Sequence, residues 1–243
     1  MRRLLRLGAY AIAIVVGGFI GCGLMGDPVV GSGTAKSEMR MVGEVTEVVL
    51  AGVGDLEVIQ AEKPSLTVSA DDNILSFLES QTSGGKLTLQ VKSGTILSPK
   101  SPIKFTLAIK SLTKLTVSGS GNASVNGVPG EDVELNVSGA GNITFKALDV
   151  RGLTLTLSGA GNATLAGNAQ TLTAKVSGAG DIHATDLRTK SAEVTISGAG
   201  NVTLWATDAL KARVSGAGDI RYKGSPTVDQ KVSGAGSIKS LGK

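Results

Sequence analysis

Apolar and polar positions alternate along this chain in a pattern that restarts seven times. Each restart centres on a short glycine-rich segment: SGSGN from Ser118, SGAGN from Ser138 and Ser158, SGAGD from Ser177, SGAGN from Ser197, SGAGD from Ser215 and SGAGS from Ser233. Successive serines lie 20, 20, 19, 20, 18 and 18 residues apart. One place before them the chain has Val117, Val137, Leu157, Val176, Ile196, Val214 and Val232, all aliphatic. Two places before are Thr116, Asn136, Thr156, Lys175, Thr195, Arg213 and Lys231, all polar. Five places after come Ala123, Ile143, Ala163, Ile182, Val202, Ile220 and Ile238, then the polar column Ser124, Thr144, Thr164, His183, Thr203, Arg221 and Lys239. A period of two on both sides of the glycines predicts strands. Each unit is therefore two short strands joined at a Ser-Gly-Ala-Gly corner, followed by a more variable return.

A fixed repeat of this length is the signature of a solenoid. About twenty extended residues trace a coil of roughly 65 Å perimeter, and neighbouring coils stack at about 4.8 Å. The expected fold is all-β, a single-stranded parallel β-helix of 18–20 residues per coil, with the aliphatic columns inside and the Thr and Lys columns in water. The paired corner glycines (Gly119/Gly121, Gly139/Gly141, Gly159/Gly161, Gly178/Gly180, Gly198/Gly200, Gly216/Gly218 and Gly234/Gly236) form the structural turn motif, and are expected to permit close approach and positive φ. The small residue between them is expected to pack at the corner. The next position, Asn122, Asn142, Asn162, Asp181, Asn201, Asp219 and Ser237, is expected to bond to turn backbone and to stack as an amide ladder.

Upstream of Ser118 the pattern degenerates. Ala51-Gly52-Val53-Gly54-Asp55 keeps the outline of the corner, and alternation persists at Leu66–Val68, Leu87–Val91 and Phe105–Ile109. Residues 41–117 read as the irregular first coils and N-terminal cap of the same solenoid, the alternative being a separate small β domain. Residues 73–80 are compatible with a short helix. Residues 118–243 are the regular coils, and Gln230, Lys239 and Ser240 give the last one a polar character that protects an edge.

The N-terminus carries a different signal. Arg2, Arg3 and Arg6 precede an uncharged stretch from Leu7 to Ile20, fourteen residues long. That is short of the ~20 residues of a membrane span and fits a secretory signal. Cys22 follows directly in Phe19-Ile20-Gly21-Cys22, which resembles a bacterial lipobox. Residues 1–21 read as a signal peptide, Cys22 as the lipid attachment site, and residues 22–40 as a flexible tether. The alternatives are an ordinary cleaved signal, or a retained anchor extended through Leu24. The expected partner at this end is the membrane, through the N-terminal lipid. Gly23 after the cysteine resembles an outer-membrane sorting pattern.

Composition narrows the function classes. The chain has 243 residues, 34 of them glycine, and only 3% aromatics. One His and one Cys exclude a His/Cys metal centre and a disulfide framework. Without the three leader arginines the formal +4 falls to +1, with 21 basic against 20 acidic residues. No basic face with stacking aromatics is visible, so nucleic acid is not an expected partner. No cofactor and no metal are expected.

The repeated SG[AS]G[ND]-aliphatic motif, as in Ser138-Gly139-Ala140-Gly141-Asn142-Ile143, resembles the GIN-motif family of autotransporter adhesin head domains over residues 45–238. The resemblance implies a right-handed parallel β-helix, similar in shape to pectin lyases, in secreted or surface-anchored proteins. No catalytic residues carry over. Ser237 departs from the Asn/Asp of the motif at the last corner.

Few residues invite chemistry. A dinucleotide fingerprint needs a third glycine opening a helix, whereas here the corner leads into a strand. Calcium-binding β-rolls repeat every nine residues, half the period seen here. His183 falls in an outward column. Asp181 and Asp219 share a column two coils apart, about 10 Å, beside the ~6.5–9.5 Å of an inverting carboxylate pair. Trp205, placed outward with Asn126, Lys146 and Lys223, is the candidate ligand contact. The expected protein is an exported, lipid-anchored, non-catalytic module for adhesion or envelope interaction, with surface polysaccharide or protein as partner. The alternatives are a carbohydrate-binding or carbohydrate-active protein, and an envelope sensor or scaffold.

Overall fold

The computed structural model describes residues 27–127 and 131–242, so Cys22 and the leader lie outside the described residues. The first part of the chain forms β1 (Val29–Val30), β2 (Ala35–Arg40), β3 (Glu47–Ala51), β4 (Asp55–Gln60) and β5 (Ser65–Asp71). A single 3-10 turn at Leu75–Phe77 leads into β6 (Leu78–Ser83), β7 (Lys86–Val91), β8 (Leu97–Ser98) and β9 (Lys104–Ile109). The repeats supply β10 (Lys114–Val117), β11 (Asn122–Asn126), β12 (Asp132–Val137), β13 (Ile143–Leu157), β14 (Ala163–Val176), β15 (Ile182–Ile196) and β16 (Val202–Val214). The last coils are β17 (Ile220–Lys223), β18 (Thr227–Val232) and β19 (Ile238–Ser240). There is no α-helix among the described residues.

From β10 onward every pairing is parallel, and its register is the sequence repeat itself. Val117 lies on Val137, Val137 on Leu157, Leu157 on Val176, Val176 on Ile196, Ile196 on Val214, and Val214 on Val232. The aligned positions of the sequence are thus physical ladders, and the fold is a parallel β-solenoid. The aliphatic columns form one continuous core, buried from Val48 through Ile220. The returns add a third side, where Leu148, Val150, Ala169 and Leu187 are buried. Register shifts let returns of unequal length share this side, at Phe145/Leu148, Thr164/Ala166, Ala184/Arg188 and Thr189/Ser191.

The irregular coils and cap expected for residues 41–117 take the form of one corner and a crossed cap whose strands do not stack in chain order. β3 and β4 meet at Ala51–Gly54 and form one complete corner. β3 pairs with β7 on one side and β10 on the other, and β4 pairs with β9 and β11. The chain therefore leaves the stack after β4, builds the strands beneath it, and returns at β10 on the far side. Below β7 and β9 the pairing turns antiparallel, with β6 on β7, β5 on β9, and β2 on β5. This crossing covers the lower edge of the β3–β4 coil. The β5–β9 and β3–β10 pairings join cap and coils in one sheet, so a separate β domain is not what forms.

Two smaller expectations also change. The 73–80 segment holds only the 3-10 turn before strand β6 begins. The tether predicted through residue 40 is drawn into the fold from Val29: β1 pairs with β8, and β2 pairs along its whole length with β5. Arg40 explains part of this. Its guanidinium donates to the carbonyls of Leu78 (2.7 Å) and Leu75 (3.0 Å) and to Glu38, tying β2 to the turn below the coils.

Candidate functional site

The seven corners lie directly over one another, on the degenerate corner at Gly52. A methyl group on Gly139 would sit 1.9 Å from the Gly119 carbonyl oxygen, and one on Gly159 the same distance from that of Gly139. At the second glycine, a methyl on Gly141 would meet the Gly121 oxygen at 1.8 Å and Val117 Cγ1 at 2.9 Å. The same contact recurs up the stack. A methyl on Gly161, Gly180 or Gly218 would meet the glycine oxygen beneath at 1.8 Å, and one on Gly200 or Gly236 at 1.9 Å. The second glycine thus makes room for the aliphatic residue of the coil beneath.

Two expectations for these glycines are corrected. Positive φ is absent from the regular corners: the only corner glycines that have it are Gly52 (154°) and Gly54 (105°), in the degenerate corner. Gly121, Gly141, Gly161, Gly180, Gly200 and Gly218 are moreover buried, and Gly236 in the last coil is half-buried. They are packing positions inside the stack rather than left-handed turn residues at its surface, because close approach of the next coil is the whole requirement. The middle residue (Ser120, Ala140 and their equivalents) is exposed rather than packed. Its N–H carries the ladder through the bend, as from Ala140 to the Gly119 carbonyl at 3.0 Å.

The Asn/Asp column forms a ladder of its own from Asp55 to Ser237. Asn122 donates its amide to Asp55 (2.9 Å), and Asn142 donates to Asn122 (3.0 Å). Each side-chain oxygen also accepts the next corner's backbone N–H: Asn162 from Asp181 (2.8 Å), Asp181 from Asn201 (2.7 Å), and Asn201 from Asp219 (3.0 Å). An Oδ1 acceptor is common to Asn and Asp, which is why both occur. Asp219 ends the ladder by accepting the Ser237 N–H and hydroxyl at 2.8 and 2.9 Å, which hold its carboxyl below the ordinary value. Asp181 and Asp219, considered above as a carboxylate pair, are thus committed to corner backbone. His183 is exposed on the outward face.

The third side carries a groove of about 700 Å³ across the coils of β13 to β16. Its floor includes Val150, Ala169 and the buried Thr189, whose hydroxyl donates to the Trp205 carbonyl at 2.6 Å. Along one wall Asp149, Asn168 and Arg188 stack in register, and Arg188 continues onto Trp205. Arg151, Gln170, Lys190 and Asp208 line the same groove. The indole is half-buried and holds Arg188 at 5.5 Å and Lys223 at 4.6 Å from its centroid, one from the coil before and one from the coil after. Trp205 is therefore not a bare platform; it fixes the guanidinium that lines the groove. The bulge before Arg188 brings it beside Trp205, a neighbour that serine-based alignment does not find.

Other features were not anticipated. Lys86, Glu47, Lys114, Glu134, Thr154, Thr173, Glu193, Lys211 and Asp229 form one outward column of alternating charge, interrupted by the two threonines. Lys114 meets Glu134 at 2.9 Å, and Lys211 meets Glu193 at 2.7 Å. Four places before each serine is where this pattern is readable. Asp71 is fully buried in the cap. Burial pushes its carboxyl up, but four hydrogen bonds outweigh that and bring it from 3.8 to about 2: the Ser101 N–H and hydroxyl, the Lys100 N–H and the Gly33 N–H. The other displaced carboxyls, Asp132, Glu134, Glu193 and Asp229, also move down, drawn by Arg151, by Asn136 and Lys114, by Lys211 and by Arg213. A glycosidase acid needs the opposite displacement.

Solved structures share this architecture. A "putative adhesin" from Bacteroides fragilis NCTC 9343 is 25% identical with a TM-score of 0.82, covering 88% of this chain and all of its own. A "putative lipid binding protein" from Parabacteroides distasonis ATCC 8503 is 26% identical with a TM-score of 0.75, at the same coverage. A "putative adhesin" from Parabacteroides merdae ATCC 43184, 24% identical with a TM-score of 0.70, covers 89% of this chain and all of its own. No curated protein matches. The family described as "Putative auto-transporter adhesin, head GIN domain" matches residues 44–226, which contain the degenerate corner, the cap strands β5 to β9 and six of the seven regular corners. Matched over most of its length, this chain belongs to the GIN head-domain family of auto-transporter adhesins.

Proposed function

We propose that the protein is an exported, non-catalytic adhesion module, attached to the outer membrane through a lipid on Cys22, that holds a surface polysaccharide in the groove beside Arg188. Family membership supports the adhesion class. The observation that carries the ligand reading is the groove itself: Asn168 and Gln170 offer donors and acceptors side by side, flanked by Arg151, Arg188 and Lys190. A hydroxyl-rich polymer laid along the stack meets a different set of groups on each coil: Asp149 and Arg151, then Asn168 and Gln170, then Arg188 and Lys190. Asp181 and Asp219 are engaged in the corner ladder, whereas Glu131, Asp149 and Asp208 line the groove itself; binding without turnover is supported by family membership.

Two measurements test this reading. Metabolic labelling with a fatty acid should mark the wild-type chain and not Cys22→Ala; equal label in both removes the anchor. Binding to isolated envelope polysaccharides should weaken at least tenfold in Arg188→Ala combined with Asn168→Ala. Unchanged binding, or turnover of the polymer, contradicts the proposal.

A further inference from the structure

We propose that the open edge of the last coil pairs with the same edge of a second copy, β18 against β18, antiparallel about a two-fold axis through Gln230. Among the described residues β18 has one neighbour, β16, and β19 has one neighbour, β17. Interior strands of the stack have one on each side. The core column that is buried as far as Val214 ends at Val232, which is 43% exposed, and Gln230 is exposed above the buried Ala212. The polar character expected to protect this edge is incomplete: two of the three inward residues of β18, Val228 and Val232, are apolar, and such an unpaired edge is a template for another strand.

The pattern of β18 selects the partner. Its register on β16 turns Val228, Gln230 and Val232 inward and Asp229 and Lys231 outward. With Gln230 on the two-fold axis, Asp229 faces Lys231 of the second copy, twice. Val228 faces Val232 of the second copy, also twice, and the two Gln230 amides face each other. Shifting by one residue sets inward against outward side chains. Shifting by two sets Asp229 against Asp229 or Lys231 against Lys231, and directly opposed like charges destabilise a strand pair. One register is therefore both core-continuous and charge-complementary, and a self-complementary patch makes a closed two-fold dimer.

The arrangement places the two caps at opposite poles of a doubled rod. Taken with the N-terminal anchor proposed above, on which this step rests, each copy projects from a different surface, so the pairing joins two facing envelopes. The contact is small, which predicts weak association that is read at high concentration.

The test uses the full chain carrying Cys22→Ser. Sedimentation should show reversible dimers at about 100 µM. Gln230→Cys should form a disulfide-linked dimer under mild oxidation, since directly opposed Cβ atoms lie about 4.5–5.5 Å apart, near disulfide reach. Thr164→Cys, outward in mid-stack, should not. Lys231→Glu should weaken dimerisation about tenfold or more, and Asp229→Lys should do the same, while the double variant should restore it. A strictly monomeric wild type, an open-ended series of larger oligomers, equal cross-linking at residues 164 and 230, or no rescue in the double variant each overturns the pairing. Dimers that persist while attached cells fail to adhere count against the adhesion reading alone.

Discussion

Gly139→Ala isolates what holds one coil on the next. The added methyl would lie 1.9 Å from the Gly119 carbonyl oxygen, about 1.5 Å short of ordinary contact, in a stack with a repeat of about 4.8 Å. The bend must open, and two bonds to that oxygen go with it, from the N–H groups of Ala140 (3.0 Å) and Gly141 (3.2 Å). Each is worth about 1 kcal/mol, and overpacking costs a further ~1–3 kcal/mol. The expected loss is about 3–5 kcal/mol, which for a chain of this size lowers Tm by roughly 10 °C. Gly43→Ala is the control, since a methyl there meets nothing within 4 Å. It should be neutral or stabilise by up to ~1 kcal/mol through the unfolded chain. Urea titration followed by far-UV circular dichroism reads both. A Gly139→Ala protein within about 1 kcal/mol of wild type, or equal losses at both positions, refutes close corner packing as the reason for the glycine column.

Other perturbations separate the remaining contributions. Asn142→Ala removes the acceptor for the Asn162 N–H and amide and should cost about 1 kcal/mol, whereas Asn142→Asp keeps the acceptor and should cost less; urea midpoints compare them. Asp71→Asn should lower Tm by about 5–10 °C, because the buried clamp loses its charge-assisted acceptor. Because the folded carboxyl titrates below its unfolded value, its contribution is complete above pH 3.8 and is lost as pH falls through about 2, so wild type and variant should converge there. Trp205→Ala should cost about 1–2 kcal/mol through the two lost cation contacts, and should weaken polysaccharide binding by freeing Arg188. Trp205→Phe should recover part of both.

What the sequence discloses follows from where its repeats are local. Between Ser118 and Ser237 the ladder partner of a residue is the one about twenty places away, so alignment by eye reproduces register, core and the Asn/Asp ladder. The cap defeats this because Asn122 meets Asp55, 67 residues earlier, across strands that run in both directions. β2 was hidden for another reason: Ala35-Lys36-Ser37-Glu38-Met39-Arg40 is an edge strand with almost nothing buried, so it carries no apolar alternation and reads as linker. The groove was missed because its wall depends on bulges of unequal length. Serine alignment sets Thr185 beside Trp205, and only the bulge brings Arg188 there. The corner glycines are visible as a column, and of the two reasons expected for them close approach holds while positive φ does not occur in the regular corners.

One outward column runs through the stack, in an order that differs from the order of the chain. In that column Thr106 lies on Glu57, Glu57 on Ser124, and Thr144, Thr164, His183 and Thr203 follow. Spin labels on Cys22→Ser chains, paired as Glu57→Cys with Thr203→Cys and as Thr106→Cys with Thr203→Cys, read it by pulsed dipolar spectroscopy. Five and six coil spacings predict about 24 and 29 Å, so the residue later in the chain is the more distant. Residue 57 lying farther from residue 203 than residue 106 does, or separations that do not grow by about 5 Å per coil, would contradict the stacking.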